Sequence, residues 1–98
     1  MAEVIETEAF AKWLKGLRDQ LGRRAIARRL ARIVSAGNFG DHAGVGDGVS
    51  ELRIHVGPGY RLYYTIREDQ VVLLLCGGDK GSQDRDIGKA KEMAAQLE

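Results

Sequence analysis

Cysteine is almost missing. Cys76 stands alone in 98 residues, so no intramolecular disulfide can form, and the chain suits a reducing compartment. No cysteines and histidines fall at zinc-ligand spacing, so no metal site is expected, and no cofactor either. The chain has no run of 18 apolar residues and no basic segment leading into an apolar stretch at its start. Membrane spanning and export through a signal peptide are therefore not expected, which leaves the cytoplasm as the expected location. Internal repeats, low-complexity tracts and linkers are absent too. An excess of one charge sign is nearly absent: 15 Lys and Arg against 14 Asp and Glu leave a net charge of +1, which by itself does not suggest a nucleic-acid partner.

What remains is the profile of one soluble domain spanning 1–98, with an ordinary 44% hydrophobic content. A chain this short buries a modest core, so its site should be a shallow surface groove. The charge is unevenly spread. Residues 12 to 32 hold Lys12, Lys15, Arg18, Arg23, Arg24, Arg28, Arg29 and Arg32 against the single acid Asp19.

Periodicity supplies the elements. Val4 and Ile5 suggest a short N-terminal strand, and Thr7-Glu8 a helix start. Phe10, Trp13, Leu14, Leu17 and Leu21 fall at helical spacing, with Gly22 as the expected stop. A second helix is predicted from about Arg23 to Ser35 on the stripe Ile26, Leu30, Ile33 and Val34, making a helical hairpin. The glycine-rich stretch from Gly37 to Gly48 reads as a loop.

Leu52, Ile54 and Val56 then alternate with Glu51, Arg53 and His55, a strand with one apolar and one polar face. Gly57-Pro58-Gly59 is a turn, Tyr60 to Arg67 a strand, Glu68-Asp69-Gln70 a turn. Val71 to Cys76 is an unbroken apolar run, as expected of an interior strand covered on both faces, and Gly77-Gly78 ends it. A last helix starts near Ser82 with Ile87, Ala90, Met93, Ala94 and Leu97 on its apolar side. The fold class is thus α+β: a short N-terminal strand, a helical hairpin, a three-stranded antiparallel meander with one polar face, and a C-terminal helix.

That order, together with Glu51-Leu52-Arg53-Ile54-His55-Val56, Gly59-Tyr60-Arg61-Leu62-Tyr63-Tyr64 and Leu73-Leu74-Leu75-Cys76-Gly77-Gly78-Asp79-Lys80, resembles the RelE/ParE toxin superfamily in its HigB-like "addiction module killer" branch. The likeness is most specific from Ser50 to Ala90. It implies a small twisted antiparallel sheet with helices on one side. It also implies the toxin role in a type II toxin–antitoxin system, with a cognate antitoxin, often helix-turn-helix and here HigA-like. That antitoxin neutralises the toxin and represses the shared operon, so the toxin reaches operator DNA only through it. RelE-like members cut mRNA in the ribosomal A site; ParE-like members poison DNA gyrase.

Metal-independent RNA cleavage needs a base for the 2′-OH proton, an acid for the 5′-leaving oxygen and cations for the charge on phosphorus. Arg61 matches the arginine of the GYR motif as a fork for the scissile phosphate, and Lys80 matches a basic position after the last strand. Arg53 and His55 share the polar face of the neighbouring strand, and His55 is the acid/base candidate because histidine is the side chain whose ordinary pKa lies nearest neutrality. Tyr63 alternates in phase with Arg61 and is a candidate for stacking on a base. Arg23, Arg24, Arg28 and Arg29 form a positive surface for rRNA phosphates or for an acidic antitoxin segment. Against this, Glu51 and Asp79 lie near the cations and oppose a phosphate backbone. Gyrase inhibition without RNA chemistry, and a degenerate toxin acting only as antitoxin-bound co-repressor, both stay open.

Overall fold

A computed structural model describes residues 2–97. The elements are β1 (Glu3–Glu6), α1 (Glu8–Gly16), α2 (Gln20–Ala36), β2 (His42–Gly46), β3 (Val49–Ile54), β4 (Tyr60–Arg67), β5 (Val71–Asp79) and α3 (Gln83–Gln96), with a short 3₁₀ turn at Lys80–Ser82. The sheet runs β1-β5-β4-β3-β2, in which β2 to β5 form an antiparallel meander and β1 lies parallel to β5. The expected order of elements and the α+β class hold. The meander has four strands rather than three, because β2 lies in what reads as loop: its two glycines leave no apolar alternation, and the pairing breaks register between Gly44 and Gly46.

Thr7 starts α1. Its hydroxyl accepts from the Phe10 N–H at 3.2 Å and donates to the Leu75 carbonyl at 2.8 Å, so one side chain caps the helix and fastens it to β5. The break between α1 and α2 comes at 17–19, earlier than the expected Gly22. Asp19 caps α2 by accepting from the Gly22 N–H at 3.1 Å, while its other oxygen accepts from the Tyr60 hydroxyl at 2.7 Å. Both bonds hold the Asp19 carboxyl below the usual carboxylate range, and the pairing pushes the Tyr60 phenol up to about 12. Gly22 itself is helical and buried, because a Cβ there would stand 2.6 Å from Cε2 of Tyr60. With the break moved, Leu21 leaves the buried stripe and is 66% exposed; Val34 also faces solvent.

Helices cover both faces of the sheet, a correction to the single helical layer expected. On one face Phe10, Ile26 and Ile33 meet Leu52, Leu62, Tyr64 and Leu74. On the other, Ala90 and Ala94 of α3 let that helix lie close on Val49, Tyr63, Leu75 and Cys76. Burying each large apolar side chain contributes about 1.5–3 kcal/mol, so a sheet with apolar residues on both sides recruits a helix to each. Burial pushes the Cys76 thiol up to about 11, so it stays protonated.

The two glycines after Cys76 do not end the strand. β5 continues to Asp79, with Gly77 opposite Leu62 and Gly78 opposite Arg61. They are required because a helix touches each face there: a Cβ on Gly77 would meet the Trp13 ring of α1 at 2.5 Å, and one on Gly78 would overlap the Asp86 carboxylate of α3. No helix among the described residues is long and apolar enough to cross a membrane.

Candidate functional site

Strand alternation sets Glu51 and Arg53 on the α3 face of β3, and pairing sets Arg61 of β4 directly opposite Arg53. Two like charges in such a cross-strand pair repel. Glu51 resolves the conflict: it is 1% exposed, its Oε2 accepts from Arg53 Nε at 2.6 Å and lies 3.9 Å from Arg61 Nε, and its Oε1 accepts from the Gln83 amide at 3.1 Å. A buried carboxylate without partners would be costly; between two guanidiniums it is the counter-ion that lets them sit together. The same hydrogen bond from Arg53 to Glu51 raises the already high pKa of the guanidinium.

Arg53, its side chain 36% exposed, is the accessible cation of the pair. Arg61 is only 8% exposed, and its Nε is buried without a hydrogen-bond partner. The open phosphate fork expected at Arg61 is therefore not open; α3 covers it, and its charge acts from beneath Arg53. Tyr63 is wholly buried in the α3 interface, its hydroxyl without a partner, and burial first, then Glu51, drives its pKa up. It cannot stack on a base.

His55 follows the end of β3 and is 67% exposed, with Nε2 2.6 Å from Oδ2 of Asp41. The other oxygen of Asp41 lies 3.6 Å from Arg53 Nη1, and the Asp41 carbonyl accepts from the Arg53 N–H at 2.9 Å. The bond from His55 holds the Asp41 carboxyl below its usual range. Asp41 was missed by sequence reasoning, since nothing in a glycine-rich loop marks it; pairing of β2 with β3 brings it here. Glu51 was seen as an intruder among the cations and is their organiser.

Lys80 is exposed at the same end of the sheet, its backbone N–H donating to the Gly59 carbonyl at 2.8 Å, two residues from Arg61. The neighbouring Asp79 carboxylate caps the 3₁₀ turn by accepting from the Gly81 and Ser82 N–H groups. The structure thus brings Arg53, Arg61 and His55 together through Glu51 and Asp41, and sets Lys80 at the same end of the sheet.

The helical arginines lie on the opposite layer. Arg23 and Arg24 join Lys15 and Arg18 around a surface depression of about 450 Å³ at the α1–α2 elbow, and Arg28 is exposed further along α2. Arg29 differs: its guanidinium donates to the carbonyls of Phe39 and Asp41, each at 3.3 Å, clamping the chain that carries Asp41. Burial and Arg32 lower its pKa. Its role is structural support for the site rather than an exposed contact. Among the described residues, no group of three or more His, Cys, Asp and Glu side chains could hold a metal ion.

Two solved structures share this architecture at identities that establish fold alone. A chain of the intact E. coli RelBE toxin–antitoxin complex superposes with a TM-score of 0.64 at 16% identity, covering 81% of this chain and 96% of that one. The conserved hypothetical protein HP0894 of Helicobacter pylori gives 0.52 at 21% identity, covering 83% and 97%. The fold is RelE-like. In sequence, an uncharacterized protein of Haemophilus influenzae is 43% identical over 95 residues, 97% of this chain and 95% of its own. Residues 12–96 match the family model described as phage derived protein Gp49-like (DUF891), which spans the elbow, the whole meander and α3. On that match and that relative, the chain belongs to the Gp49-like family of phage-derived proteins.

Proposed function

We propose that this protein is the toxin of a type II toxin–antitoxin pair, HigB-like, and that it cleaves mRNA on the ribosome without a metal ion. The observation that carries the reading is the group at the end of β3 and β4: an accessible arginine, Arg53, backed by Arg61 over buried Glu51, beside a histidine held by a carboxylate. The fold shared with a chain of a toxin–antitoxin complex and the Gp49-like family membership support the toxin role.

In this reading His55, oriented by Asp41, takes the proton of the ribose 2′-OH, whose oxygen attacks the adjacent phosphorus. The bond from phosphorus to the 5′-oxygen breaks, that oxygen takes a proton from a solvent water which the His55 imidazolium then re-protonates, and the products are a 2′,3′-cyclic phosphate and a 5′-hydroxyl. Arg53 and Lys80 bind the phosphate oxygens, and Arg61 adds positive potential from below. The ribosome supplies substrate alignment that this shallow site does not. A HigA-like helix-turn-helix antitoxin is the expected neutralising partner, and operator DNA is contacted through it alone.

The test is primer-extension mapping of mRNA on programmed ribosomes with wild type, Arg53→Ala and His55→Ala. Wild type should cut in the A site, and each variant should lose roughly a hundredfold or more in rate, as general acid–base and electrostatic groups do. A His55→Ala protein with full activity refutes the histidine's role. A wild type that is toxic in cells yet cuts nothing moves the reading to gyrase inhibition.

A further inference from the structure

Glu51 is 1% exposed, so its two carboxylate oxygens must find their donors within the protein. Oε2 takes the bond from Arg53 Nε, and among the described residues the hydrogen bond to Oε1 comes from the side-chain amide of Gln83. Gln83 is the first residue of α3, and the start of that helix is seated on β5 in three ways. Asp79 accepts from the Gly81 and Ser82 N–H groups, the Ser82 hydroxyl donates to Oδ2 of Asp86, and Gly78 lacks the Cβ that would overlap the Asp86 carboxylate. The Gln83 amide therefore reaches Glu51 from a fixed base.

The division of Glu51 between two partners decides what is left of Arg53. A carboxylate beside an arginine favours a two-point pairing, with one oxygen on Nε–H and the other on the parallel Nη2–H. Glu51 makes half of that pairing, because its second oxygen is turned to Gln83. Nη1 of Arg53 lies 3.6 Å from Oδ1 of Asp41, and among the described residues no other hydrogen bond or ion pair forms at this side chain. Nη2 is thus the unengaged end of a guanidinium whose side chain is 36% exposed. Rotation of a terminal carboxylate is soft, so without a donor on Oε1 Glu51 would close its fork onto Nη2.

We infer that Gln83 is a positioning residue: by occupying Oε1 it limits Glu51 to a one-point bond and leaves Arg53 Nη2 for an oxygen of the substrate phosphate, an inference that rests on the ribonuclease reading of the site. Gln83 touches no reacting atom and acts through Arg53.

Gln83→Met keeps the length of the side chain and removes the donor. Single-turnover cleavage of mRNA on programmed ribosomes should fall about tenfold in this variant, but less than about twofold when the change is made in an Arg53→Ala protein, since residues that act through one another do not add. A residue that only fills space would cost the same in both backgrounds. In proton–nitrogen NMR the wild type should show averaged Arg53 Nη–H signals that shift with added inorganic phosphate. Gln83→Met should show slowed rotation at Nη2 and a phosphate response about tenfold weaker. Equal losses in both backgrounds, undiminished cleavage by Gln83→Met, or an unchanged Arg53 spectrum and phosphate response would each overturn the inference. A wild type that cuts nothing sinks the ribonuclease reading instead, and the NMR comparison alone then decides for or against the positioning role. Should Gln83→Met unseat α3, seen in the amide shifts of the helix, Gln83→Asn, one methylene too short for Glu51, carries the same comparisons.

Discussion

Tyr63 brings a hydroxyl into the α3 interface and leaves it unbonded, beside an Arg61 Nε in the same condition. A desolvated polar group without a partner costs about 1–3 kcal/mol, and removing it altogether can recover that. Tyr63→Phe should therefore raise the unfolding free energy by about 1 kcal/mol, seen as a higher urea midpoint at unchanged slope; a lower midpoint would show that the hydroxyl is bonded after all. At this scale the sequence was only partly legible. Alternation correctly put Arg53 and Arg61 on one face, and spacing correctly found Thr7 as a cap. It could not tell that α3 would lie over that face, so Arg61 and Tyr63 read as open when they are covered. Nor could it find Asp41, which acquires its partners His55 and Arg53 only through a strand pairing that its glycines conceal.

Elements were easier to read than their ends. The apolar run of β5 and the alternation of β3 are strong signals that survive in the structure. Glycines misled in both directions, because a glycine that permits a turn and one that permits close contact look alike in sequence. Gly22 and the pair Gly77-Gly78 are of the second kind: Tyr60, Trp13 and Asp86 occupy the space their side chains would need. Gly22→Ala is the sharpest test. Helix propensity alone would favour alanine by about 1 kcal/mol, yet the contact with Tyr60 should reverse the sign and cost about 1–3 kcal/mol in chemical denaturation. A more stable alanine variant would mean that the elbow between α1 and α2 moves freely relative to the sheet.

Across the whole molecule charge is segregated by layer. Eight of the fifteen Lys and Arg and one of the fourteen acids fall between residues 12 and 32, on the helical hairpin, while the proposed site lies across the sheet from it. Binding and cleavage should therefore separate experimentally. Arg24→Glu with Arg28→Glu should weaken ribosome binding about tenfold at low salt and much less at high salt, leaving the cut position unchanged, because counterion release scales with the phosphates neutralised. A loss that is the same at every salt concentration would exclude an electrostatic role for the hairpin. The parallel pairing of β1 has a further consequence, in time rather than space. Residues 3–6 find their partners at 71–74, so this strand must wait until some 65 further residues have been made before it can join the sheet. Closing so long a loop is slow, and α1, capped by a residue that also bonds Leu75, cannot dock earlier. A nascent chain thus keeps residues 3–6 without their sheet partners until β5 has been made, so sheet closure awaits the far end of the meander.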